Sequence, residues 1–185
     1  MKLRKHTMMN RALAFLPATA ILAAAPAMVL AAPGSYSMVI LAHAPEARNL
    51  MSGDYAMTME GIQNLEAVAY KSFDMYNNLC VGYTITKSFD KAQVACDLAL
   101  ELHADTSRPY HSFMATGIAL NDSNRKAVAL TNRGVLKAVT GDVTGAAEDF
   151  TLATESSDEV RESDANLAYL ASKSDGAEAI AQAVR

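Results

Sequence analysis

The residues with the most obvious chemical potential are few. His103, Asp105 and His111 offer two imidazoles and a carboxylate, a donor set suited to zinc or another transition metal. Their spacing spans a stretch containing Pro109 and fits no recognised metal signature, so they read as surface loop residues and no metal is expected. The only cysteines, Cys80 and Cys96, match neither a CxxC redox pair nor a zinc quartet. They are either one structural disulfide or two buried thiols behaving as small hydrophobes. Cys80 is a poor nucleophile, because its neighbours are apolar and no histidine follows nearby. The chain has no G-x-S-x-G elbow, no Gly-rich phosphate loop and no H-E-x-x-H helix. An enzyme is therefore not expected, nor is a cofactor.

Charge and composition point to a compartment. Lys2, Arg4, Lys5 and Arg11 precede any acid, the first carboxylate being Glu46. An Ala-rich apolar run from Ala12 to Ala32 follows, interrupted by Pro17 and Pro26. This is the pattern of a secretory signal, and Val29 and Ala31 supply the small-x-small site that places cleavage after Ala31. A cut after Ala32 would leave Pro33 next to the scissile bond. A retained membrane anchor is disfavoured by the two prolines and the abundance of alanine over leucine. A lipoprotein signal would need a cysteine far earlier than Cys80. Loss of the four basic residues takes the formal charge from -4 to -8. That charge, the absence of Trp and the 6% aromatic content disfavour nucleic acid, and the acidity repels anionic lipid surfaces. A bacterial periplasmic or secreted protein is expected, without membrane insertion after cleavage.

The remaining chain has helical rather than strand periodicity. Leu65, Val68, Ala69, Phe73 and Tyr76 recur at helical spacing, as do Ala92, Ala95, Cys96, Ala99 and Leu102. Ser88 and Asp142 can cap helices, and Ser156-Ser157-Asp158-Glu159 offers a capping-box start. Strand-like alternation is confined to Ser37–Leu41, within a stretch (32–50) read as a flexible N-terminal linker. The expected organisation is a signal peptide over 1–31, that linker, and one helical domain over 51–185.

Within that domain the chain repeats. Asn132-Arg133-Gly134-Val135-Leu136, then Gly141-Asp142, then Ala146, Phe150 and Ala153, resembles a tetratricopeptide (TPR) repeat. In that family a small residue of one helix, here Gly134, faces an Ala-x3-aromatic-x2-Ala surface on the next. The family's Trp and Tyr positions fall on Leu130 and Lys137, two departures. A shift of 34 residues superposes Asn132 on Asn166 and Gly134 on Ala168, with Ala177–Val184 as a shortened second helix. Upstream, Asn78 to Tyr83 reads as a first helix, and Ala92, Cys96 and Ala99 repeat the second-helix spacing. Gly53-Asp54-Tyr55 suggests an orphan second helix over 54–69. An insertion near 104–122 interrupts the array; Arg108-Pro109 breaks the preceding helix, and His111–Leu120 is apolar enough for a short extra one. The resemblance implies an all-α fold, a short α-solenoid of antiparallel helix pairs.

On that register Cys80 takes the small position of a first helix and Cys96 the aromatic position of its second, at equal height on facing surfaces, which favours a disulfide clamping the pair. The family typically binds a protein or peptide along the concave groove of its first helices. Asn78, Asn132 and Asn166 recur at one position in that groove. A row of side-chain amides can read an extended backbone without demanding its sequence, although each could equally bond its own neighbouring backbone. Val81, Val135 and Tyr169 complete the candidate partner-binding set. The groove is largely neutral or apolar, so an acidic-tail ligand is not expected. The function implied is an exported scaffold or adaptor that binds another envelope protein. The alternative is a self-assembling structural module, a homo-oligomer joined through the truncated C-terminal repeat.

Overall fold

A computed structural model describes residues 35–44, 47–54, 61, 71–104, 114, 117 and 119–173. The signal peptide and its cleavage site, nearly all of the expected helix over 54–69, Asp105, His111 and Ala177–Val184 lie outside these residues.

The described part is helical. A short helix α1 (Ala47–Ser52) precedes two long pairs, α2 (Phe73–Ile85) with α3 (Phe89–Leu102) and α4 (Asp122–Thr140) with α5 (Val143–Ser156), and then α6 (Arg161–Ala171). Each pair packs on itself, and α4 also lies against α2 and α6. None of the described helices is long and apolar enough to cross a membrane.

Short turns set the pairs. Gly141 closes α4 with φ 93°, the left-handed conformation that favours glycine, and the turn bonds Asp142 N–H back to Lys137 C=O. Asp142 then caps α5 through its side chain, which accepts from Gly145 N–H at 2.9 Å. Ser88 precedes α3 but makes no side-chain cap bond. The capping-box reading of Ser156–Glu159 does not hold either. Ser156 ends α5, and α6 starts at Arg161. The Ser157 hydroxyl donates to the Asn124 side chain at 2.6 Å and accepts from Glu159 N–H at 3.1 Å, a local turn that precedes α6 and does not cap it.

Small residues let the helices approach. Ala146, Phe150 and Ala153 of α5 are fully buried, and a Cβ placed on Gly134 would stand 2.6 Å from the Phe150 ring. In the preceding pair, Ala92, Ala95, Cys96 and Ala99 form the buried face of α3. Cys80 and Cys96 are disulfide-bonded across α2 and α3, with Cα atoms 4.8 Å apart.

A charge cluster joins three helices. Arg133 of α4 forms a two-pronged pair with the buried Asp149 of α5, both bonds 2.8 Å long, and reaches Asp97 of α3 at 3.2 Å. Lys137 adds a second cation on Asp149 at 3.0 Å. The hydrogen bonds that Arg133 donates to Asp149 raise its pKa above the ordinary value, against partial desolvation.

The stretch expected as a flexible linker enters the core instead. Residues 36–41 run extended, with Val39 and Leu41 buried, and Leu41 forms an antiparallel bridge with buried Met114 of the insertion. At Met114 the insertion is thus extended, where a short helix was expected.

Candidate functional site

The face that α2, α4 and α6 share carries an amide at the repeated position of each helix, and an extended segment lies across all three. Asn166 accepts a hydrogen bond from Ser37 N–H at 2.7 Å and donates to Ser37 C=O at 2.8 Å. Asn132 does the same for Val39, at 2.7 and 2.9 Å. Asn78 does it for Leu41, at 3.0 and 3.1 Å. In an extended chain the N–H and C=O of one residue point the same way, and those of the next point oppositely. Every second residue can therefore be held by one amide, which stands in for the peptide group of a neighbouring strand.

The spacing works because of the helix pairs. Two residues of extended chain span about 6.7 Å, whereas packed helices lie about 8–10 Å apart. Side chains converging from adjacent helices onto one face make up the difference. The segment runs from α6 towards α2, against the order of the helices in sequence.

The amides are fixed by a closed network at the centre. Val39 C=O also accepts from Asn77 at 3.0 Å, and Asn77 Oδ1 accepts from Asn132 at 2.8 Å. The second Asn77 proton reaches Asn78 Oδ1 at 3.4 Å. Asn132 thereby uses its oxygen and both of its protons, so only one orientation of this amide satisfies every partner. Asn77, Asn78, Asn132 and Asn166 are all at least 98% buried. At that burial an unmatched amide would be costly, and satisfied it specifies a single arrangement.

Alternate side chains of the segment enter different parts of the core. Tyr36 and Met38 pack on the cluster of Val135, Ala146, Phe150 and Leu170. Tyr36 lies 6.1 Å from the Phe150 ring in a stacked arrangement and 4.8 Å from Tyr169 edge-on. Val39 and Leu41 belong to the cluster built on Phe73, Ala127, Val128 and Leu130.

Five of the six residues assigned to partner binding thus surround the segment: Asn78, Asn132 and Asn166 through its backbone, Val135 and Tyr169 through its side chains. Val81 is fully buried in α2. Asn77 was missed because the repeat register selects Asn78 alone. The available signal was two consecutive amides in the apolar run Phe73–Ile85, where only one can occupy the repeated position. The segment itself was seen only as a brief alternation.

Among the described residues no group of three His, Cys, Asp or Glu side chains is placed to hold a metal ion. His103 is the C-cap residue just after α3, while Asp105 and His111 lie outside the described residues.

Comparison with known proteins returns no match: no family model fits the chain, and no curated protein or solved structure is significantly similar to it.

Proposed function

We propose that this chain is an exported, TPR-like adaptor without catalytic activity, which holds an extended segment of another envelope protein along the amide-lined groove of its first helices. The signal-like N-terminus and the disulfide support a periplasmic or secreted setting. The repeated small residues at Gly134, Ala146 and Ala153, with the recurring Asn position, support the TPR-like reading.

One observation carries the functional reading. Three asparagines on three successive first helices each hold both backbone groups of alternate residues in an extended chain. Such a row recognises main chain, leaving side-chain preference to the neighbouring apolar surfaces. An enzyme would need a convergence of nucleophile, base or metal ligands, and these amides offer only neutral hydrogen bonding.

The test is site-specific photo-crosslinking in cell-envelope extract. A photoreactive residue in place of Tyr169 is compared with one in place of the exposed Leu152, with helicity checked by circular dichroism. The expected outcome is a crosslinked partner peptide from position 169, absent from position 152. Crosslinks only from position 152, or none from either, would refute the groove as a partner site.

A further inference from the structure

We infer that residues 36–41 are a tethered occupant of a peptide site, and that the site's proper ligand is a partner segment of the same pattern, which must displace them. This rests on the adaptor reading above and adds to it a direction, a side-chain code and a built-in competitor.

The code follows from the contacts. Backbone is held at the second, fourth and sixth positions, by Asn166, Asn132 and Asn78. The first position enters the aromatic site formed by Phe150 and Tyr169, occupied here by Tyr36. The third, fourth and sixth positions are apolar, occupied by Met38, Val39 and Leu41. The ligand class is therefore an extended peptide of the form aromatic-x-apolar-apolar-x-apolar, running from α6 to α2. Proline and N-alkylated residues are excluded at the second, fourth and sixth positions, because each must donate an N–H.

The occupant competes because it is covalently attached. A tethered segment acts at an effective concentration of the order of mM, so a free peptide of equal intrinsic affinity is held off until the tether is weakened. Loss of one occupant contact should release the groove to an incoming chain.

The probe is a fluorescent peptide of residues 35–42, Ser-Tyr-Ser-Met-Val-Ile-Leu-Ala, titrated into the full mature chain and into Val39→Pro. Proline removes the N–H that Asn132 accepts while remaining compatible with extended backbone. Val39→Pro should bind the peptide at least about tenfold more tightly than the wild type, the weight of one hydrogen bond of about 1.4 kcal/mol. N-methylation of the peptide at its Ser37, Val39 or Leu41 amides should abolish binding, whereas methylation at Met38 or Ile40 should leave it intact. Equal binding by both proteins, or no distinction between the two methylation sets, would overturn the proposal. If Val39→Pro loses its helicity, Ser37→Pro at the groove's end decides in its place. Loss of helicity in both would show the segment to be a fixed part of the fold and would likewise overturn displacement. Crosslinking of an envelope partner at position 169 with no peptide exchange would leave the adaptor and remove only this code. Exchange without any envelope partner would do the reverse.

Discussion

Asn132 grips Val39 by both of its backbone groups, 93 residues away in sequence, and in doing so spends its oxygen and one of its two protons. Its remaining proton goes to Asn77. Asn77 is used in the same way, its oxygen and both protons bonded, and is equally buried.

The row of amides should be graded in strength. Asn132→Ala leaves Val39 N–H and Asn77 Oδ1 buried without partners and should cost about 3 kcal/mol. Asn166→Ala sits where Ser37 is only half-buried, so water can replace the amide and the loss should be about 1 kcal/mol. Urea denaturation of both variants checks this, and equal losses would show that burial does not set the ranking.

Gly134→Ala should destabilise by about 1–3 kcal/mol, because the new Cβ would meet the buried Phe150 ring at 2.6 Å. The penalty should shrink in a Phe150→Leu background, where the obstructing ring is gone. A double-mutant cycle measures that coupling. Additive losses would mean that the clash is relieved by helix movement instead.

Removal of the Cys80–Cys96 bond, by alanine at both positions, should cost about 3 kcal/mol through the loop it closes. Thermal melts with and without reductant should show the same direction in the wild type and none in the variant. A reductant effect that persists in the variant would contradict the assignment.

Asp149→Ala should cost about 1–3 kcal/mol, less than a fully buried pair, since Arg133 and Lys137 keep some contact with water. Arg133→Lys should lose about 1 kcal/mol, because an ammonium cannot reproduce the two-pronged contact. The Arg133 pKa is raised in the fold, so its contribution is complete below the ordinary arginine value and would be lost only on passing above it. Stability measured between neutral and mildly alkaline pH should therefore show no step from this group.

What was legible in the sequence was whatever depends on spacing along one helix or between neighbours. Ala146, Phe150 and Ala153 recur on a helical period and are buried together, and Cys80 and Cys96 fall opposite one another once the turn near Lys87 is counted. The three asparagines occupy the same repeated position, and the main chain they hold is the protein's own, at Ser37, Val39 and Leu41. Their occupant was not legible, because Ser37–Leu41 owes its burial to residues up to 129 positions away and carries too short an alternation to declare a partner. The boundary at Ser156–Glu159 failed for a related reason: both ends of the motif are engaged elsewhere, the Ser156 hydroxyl donating to Leu152 C=O within α5 and the Glu159 carboxylate accepting from Asn124. Asn77 was hidden beside Asn78, since a repeat register can name only one of two adjacent residues.

The bond between Ser37 and Asn166 also imposes an order of events. A chain made or exported from its N-terminus presents Ser37 long before Asn166 exists, and closing so long a loop is entropically late and slow. The helix pairs can form from local contacts, while residues 36–41 wait for α6, the last of the described helices. In refolding, the Tyr36 ring signal should trail the recovery of helicity, and a chain stopped before α6 would keep its beginning unsecured.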